Sequence, residues 1–209
     1  MRFQVSINDL KANVWPMSTV ILLLAGLIPL LFNLAPSSIQ QAAMTGELFV
    51  PLIAMIGLPT IFLPDQAEAI QAVINTKHYR LPLLRLLRVS WLLLLLNLVN
   101  AGIITAYGVH GVAVPLLTLM IDFSAKTLLL AGLVTVSYRL TQNIVVAYIL
   151  PVTYFALCLG YTGLGPLNLL TLMHGRPLSD CGWQVGVALL MLGIGLIPGG
   201  ATLNPHPSR

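Results

Sequence analysis

The chain has 209 residues, of which 57% are hydrophobic and only 8% charged, with a mean hydropathy of +0.92. Soluble domains carry roughly 25% charged residues, so this composition excludes a water-facing globular fold and points to a membrane-embedded chain. The formal charge of +4 comes from a few basic residues beside apolar runs, which is an orientation signal and gives no basis for nucleic-acid binding.

Runs such as residues 91–96 (WLLLLL) do not alternate apolar with polar residues, so helices are expected and not barrel strands. A helix needs about 20 mostly apolar residues to cross the hydrocarbon core. The expectation is an all-α integral membrane protein, a single transmembrane domain over residues 1–209 with six transmembrane helices. In residues 1–15, Phe3, Ile7, Leu10 and Val14 recur at helical spacing with Arg2, Asp9 and Lys11 between them. That pattern predicts an N-terminal helix lying in the membrane interface.

The first span is predicted over residues 17–34, with a kink at Pro29, since proline removes a backbone donor. An uncharged loop is expected at residues 36–46, then a second span over 47–63 containing Pro51, Gly57 and Pro59. Residues 65–82 form a charge-rich island, followed by spans at 86–107, 113–138 and 144–161, the last interrupted by Pro151. Residues 162–182 contain GPLNLLTLMHG, too apolar for an ordinary loop and too short to span. A short outer re-entrant helix at about residues 167–173 is expected there, then a sixth span over 183–197 and an irregular tail at 198–209.

Basic residues cluster at Arg2 and Lys11, at Lys77, Arg80, Arg85 and Arg88, at Arg139 and at Arg209, with Arg176 alone on the other side. The positive-inside rule then puts both termini in the cytoplasm of a multi-pass plasma-membrane protein, in agreement with an even number of spans.

The island reads DQAEAIQAVINTKHYRLPLLRLLR. As a helix it would place Ala67, Ile70, Val73 and Ile74 on one face and Gln66, Glu68, Gln71, Asn75 and His78 elsewhere. Asp65 with Glu68 has the spacing of a capping box. The acids lie at the N-terminal end and Lys77 and Arg80 at the C-terminal end, as the helix dipole favours, and Pro82 is expected to stop the helix. Two uses fit such a helix: resting on the lipid surface, or docking a soluble protein.

This order of elements resembles the membrane subunit of type-2 ATP-binding-cassette exporters. The resemblance rests on Asp65, Glu68, the apolar face Ile70–Ile74, Thr76, Lys77 and Arg80, and on NIVVAYILP followed by GPLNLLTL. The chain departs from the pattern in its short length and in Asp65 where glutamate is usual. The resemblance implies a permease that moves an amphiphilic cargo (peptide, lipid or drug) with energy from a partner subunit. It implies docking of an ATP-binding-cassette ATPase on Asp65, Glu68, Gln71, Asn75, Thr76, Lys77 and Arg80. It also implies a second permease subunit, in a homodimer or heterodimer. No cofactor would bind directly; ATP and Mg would sit on the partner.

Inside the predicted spans, Asp122 and Lys126 are four residues apart with the acid first, the favoured orientation for a helical ion pair. Intramembrane charges are costly and are functional candidates; a self-neutralising structural pair and a pathway role both remain open. Asn97 and Asn100 are expected to hydrogen-bond neighbouring helices or to line the pathway. His110 and His174 are not accompanied by clustered carboxylates, so no metal site is expected. Cys158 and Cys181 are expected as buried free thiols, with a disulfide as the alternative.

The sequence has no GxSxG, HExxH or GxxxxGK[ST] motif. ATP hydrolysis would therefore fall to another polypeptide, and the chain itself is not expected to be an enzyme. Two competing readings are a substrate-capture membrane subunit of an importer, which needs a polar pocket, and a membrane enzyme using Asp122, which needs a second acid or histidine facing it.

Overall fold

The computed structural model describes residues 14–66 and 81–196. Among them there is no strand. The fold is built from the apolar helices α1 (Trp15–Leu31), α2 (Ile39–Gln66), α3 (Leu81–Val109), α4 (Leu116–Thr141), α5 (Ile144–Gly160) and α6 (Ser179–Leu196). α2, α3, α4 and α6 are long and apolar enough to cross a membrane, whereas α1 and α5 are shorter. The 29 residues of α3 give it a length of about 44 Å, more than the ~30 Å hydrocarbon core. This is the architecture of an all-α membrane protein. The expected interfacial helix, but for Val14 and Trp15 at the start of α1, and the expected tail lie outside the described residues.

Prolines and caps set the helix boundaries. α1 breaks at Leu27 and resumes as Ile28–Leu31 with Pro29 in the new first turn, so the expected kink is present. α2 starts at Ile39, not at residue 47, because Ser38 caps it: the Ser38 hydroxyl accepts the Gln41 amide at 3.3 Å. The uncharged stretch expected as a loop is therefore mostly helix. Within α2, residues Thr45–Phe49 form a wide π turn that ends two residues before Pro51. Pro51 has no N–H to give the Glu47 carbonyl, and the Val50 amide reaches back to Thr45, so the turn widens where the α-helical ladder is broken. Pro82 sits in the first turn of α3, where its missing N–H costs nothing; the helix it is expected to stop lies outside the described residues. α5 runs through Pro151 without interruption.

α4 is the central post. In its most apolar stretch 67% of residues are buried, against 28% in α6, and it packs against α2, α3, α5 and α6. Leu119, Phe123, Leu130, Ala131 and Val134 are fully enclosed. The outer faces carry Leu23, Leu30, Leu94, Leu98, Ile149 and Leu190, all more than half exposed; in water such a surface would drive association, and in lipid it is the expected contact face. The tightest helix contact is α4 with α6: a Cβ built on Gly132 would lie 2.8 Å from the Ala188 carbonyl oxygen, and one on Gly195 would lie 2.8 Å from Thr135. Small residues at such points let backbones approach where no hydrophobic effect drives helix association.

The outer segment differs from expectation. Residues 167–173 do not form a helix: a 3₁₀ turn over Thr162–Leu167 is followed by an irregular stretch and a turn ending near Gly175, which has φ 66°. Asn168 organises this stretch. Its side chain accepts the Leu170 amide at 2.8 Å and donates to the Tyr161 carbonyl at 3.2 Å, a local pattern that competes with helix formation.

Replacing Gly132 with alanine should lower the stability of the purified protein in detergent by about 1–3 kcal/mol, read as a lower thermal unfolding midpoint. The same change at Gly102, where nothing lies within 4 Å of a built Cβ, should produce no loss.

Candidate functional site

Two polar centres interrupt the apolar bundle. The first closes the end where α2 stops and α3 begins. Asp65, the penultimate residue of α2, is buried, and its carboxylate accepts from Arg85 Nε at 2.7 Å and Arg88 Nη1 at 3.2 Å. Arg85 and Arg88 are three residues apart and so share one face of α3. Arg88 Nη1 also donates to the Ile61 carbonyl at 2.8 Å. The Arg85 guanidinium lies 5.4 Å from the Tyr138 ring centre and 5.9 Å from that of Phe62. Those rings stack with centroids 4.0 Å apart, joining α2 to α4. Gln66 donates to the Gln142 carbonyl at 3.2 Å, Asn143 caps α5 through the Val145 amide at 2.8 Å, and Arg139 donates to the Ile194 carbonyl in α6. Residues 67–80 therefore depart from and return to a clasp that connects with every helix from α2 to α6.

The second centre lies roughly 30 Å away along α2, since Glu47 and Asp65 are eighteen residues apart on a helix whose last stretch, Leu58–Gln66, is the more extended 3₁₀ form. Glu47, Asp122 and Lys126 are all fully buried. Lys126 Nζ is 3.0 Å from Glu47 Oε1 and is also bonded to Asp122 Oδ1. Glu47 is held from its other side by the backbone amides of Leu172 and Met173, at 2.7 and 2.9 Å. The Cys181 thiol donates to Asp122 Oδ1 at 3.3 Å. The π turn of α2 brings Glu47 inward, and Gly46 allows it: a Cβ there would fall 2.1 Å from the Phe123 ring. Thr45, on the same turn, hydrogen-bonds the Tyr107 hydroxyl at 2.8 Å, and that hydroxyl donates to the Ala42 carbonyl at 3.2 Å. Below the cluster, Gln184 Nε2 donates to the carbonyls of Pro166 and Asn168 and to Thr171 Oγ1, at 2.9–3.1 Å.

The structure brings some of the expected residues together and separates others. Asp122 and Lys126 pair as expected, but they are not the only charges inside a span. Glu47, expected at the edge of the second span, is an interior residue because α2 begins at Ile39. Asp65 is the buried partner of Arg85 and Arg88, and the other half of the expected capping box, Glu68, lies outside the described residues. Glu68, Gln71, Asn75, Thr76, Lys77 and Arg80 lie outside the described residues. Asn97 donates to the Leu93 carbonyl of its own helix at 2.8 Å, not to a neighbouring helix. Asn100 is fully buried with neither polar side-chain atom hydrogen-bonded, an arrangement for which the structure offers no physical account. Cys158 and Cys181 are buried free thiols, and the Cys158 sulfur accepts the Leu169 amide at 3.4 Å. Among the described residues no group of three or more histidine, cysteine or carboxylate side chains is arranged to hold a metal.

Sequence reasoning missed Glu47, Tyr107, Asn168, Thr171 and Gln184. One signal was available: Glu47 is the single charged residue between Lys11 and Asp65, and an acid alone in so long an apolar stretch needs a basic partner. No protein-family model matches the chain, and neither a curated protein nor a solved structure does.

The geometry orders the costs of substitution. Lys126→Met takes the base away from two buried acids and should cost about 3–5 kcal/mol. Asp122→Asn leaves the Glu47–Lys126 pair intact and should cost less. Combining Lys126→Met with Asp122→Asn should recover part of the loss, measured by thermal or denaturant unfolding in detergent.

Proposed function

We propose that the chain is the permease subunit of a type-2 ATP-binding-cassette exporter, moving an amphiphilic cargo with energy from a partner ATPase. The observation that carries this reading is the clasp at the base of residues 67–80. A docking segment can do mechanical work only if a push on it is passed to the spans. Asp65 grips α2 to α3 through Arg85 and Arg88, and the Phe62–Tyr138 stack passes to α4. Force on the segment would thus move three helices together. In this reading each of the six apolar helices crosses the plasma membrane, the clasp end faces the cytoplasm with both termini, and a second permease subunit completes the pathway. ATP and Mg bind to the partner ATPase.

The cargo class is supported by an apolar groove of about 260 Å³ between α1 and α3, lined by Leu22, Ile28, Leu98, Val99 and Ile103 among others. It offers an acyl chain or apolar side chains a lipid-accessible resting place. The enzyme reading gains one supporting observation, since Glu47 is the second acid that Asp122 would need. Lys126 stands between the two carboxylates, however, and all three side chains are enclosed, which favours the structural role. The importer reading would need a polar pocket in place of this apolar groove.

The test is purification of the tagged chain from its native membranes. The wild type should bring with it an ATPase carrying a phosphate loop. Replacing Glu68 and Lys77 together should lose that partner or uncouple its hydrolysis from transport. Asp65→Asn should keep the partner but weaken coupling, at a stability cost of about 3 kcal/mol from the lost ion pairs to Arg85 and Arg88. Absence of any ATPase from the wild-type preparation, or unchanged assembly and coupling in the Glu68/Lys77 variant, would count against the proposal.

A further inference from the structure

The cluster of Glu47, Lys126 and Asp122 is electrically incomplete. Two acids and one base carry a formal charge of −1, and all three side chains have no solvent exposure. An uncompensated charge in a dry interior is among the most costly arrangements a fold can hold. The donors are also unevenly shared. Both oxygens of Glu47 accept N–H groups, from Leu172, Met173 and Lys126. On Asp122, Oδ1 takes both Lys126 and Cys181, while Oδ2 is buried without a hydrogen-bond partner. A bare carboxylate oxygen in that position loses its water and gains nothing in return.

We propose that this cluster is a proton-binding site, holding one proton on Oδ2 of Asp122. The proton comes from bulk water as the bundle closes. It makes the cluster neutral: an ionised Glu47, a charged Lys126 and a carboxylic acid at Asp122. Neutralising Lys126 instead would require protons on both acids and would forfeit both ion pairs. The surrounding groups leave the balance in place. From α2 and α3 the neighbours are Thr45 and the Tyr107 hydroxyl. From the last segment they are Cys181, which donates its own proton, and Asp180, which is paired with Arg176 at 2.8 Å. His174 is exposed at the mouth of the same segment. This inference rests on the cluster alone and stands whether or not an ATPase docks at the other end.

Infrared spectroscopy of the full chain in lipid nanodiscs at neutral pH tests it. The wild type should show a protonated-carboxyl stretch that shifts in heavy water and shifts again when aspartate is labelled with heavy carbon at its carboxyl. Asp122→Asn should lose the band. Glu47→Gln should lose it as well, because removing either acid leaves one acid against one base. A folded wild type with no such band, a band that ignores aspartate labelling, or one that survives either substitution in a folded variant would overturn the proposal. The labelling arm shows whether the protonated group is an aspartate even where a variant fails to fold; the substitutions assign it among the four aspartates of the chain.

Discussion

Lys126 is fully buried in the bundle, and the fold around it follows from the need to answer its charge. An ammonium inside a membrane protein must find carboxylates and must be shut away from lipid. Asp122 offers a carboxyl oxygen from one turn earlier on the same helix, and Glu47 a carboxylate from α2. To bring Glu47 inward, α2 opens into a π turn and gives up a side chain at Gly46 so that Phe123 can lie against it. Glu47 in turn requires donors on its far side, and the amides of Leu172 and Met173 provide them. The chain between α5 and α6 stays irregular for this reason: in an α-helix those two amides would be committed to carbonyls four residues back.

The same reasoning accounts for the polar residues below the cluster. Irregular backbone at membrane depth is tolerated only where protein satisfies its polar groups. Gln184 does so for the carbonyls of Pro166 and Asn168, and Asn168 does so for Leu170 and Tyr161. A second enclosed ion group, Asp65 with Arg85 and Arg88, closes the other end. Between the two, contacts are almost wholly apolar, with close α4–α6 packing at Gly132 and Gly195. A bundle pinned by charge at both ends and packed by small residues in the middle is stiff along its axis. That property suits the transmission of a push, and the proposed permease role draws on it.

Much of this was legible in the residues. The apolar runs mark the helices, four of them long and apolar enough to cross a membrane, and the four-residue spacing of Asp122 and Lys126 announces their pair. What sequence could not give was the partner of a lone charge. Glu47 looked like an interface residue because Gly46 and Thr45 read as loop, yet a cap at Ser38 starts the helix eight residues earlier. The spacing of Asp65 and Glu68 spoke only of a local cap, and gave no sign that Arg85 and Arg88, some twenty residues on, pair with the Asp65 carboxylate. The apolar stretch after α5 resembled a helix because its composition suits one; its fate depends on Glu47, 125 residues away from Leu172. Local rules failed where a distant charge offered the backbone a stronger partner.

The central claim is that Glu47 anchors the segment between α5 and α6 to the bundle. Hydrogen exchange by mass spectrometry over peptides covering residues 168–175, in wild type and in Glu47→Gln, tests it most directly. Strong protection at Leu172 and Met173 in the wild type, lost in the variant while peptides of α4 stay protected, is the predicted result. Equal protection of those amides in both proteins would contradict the account.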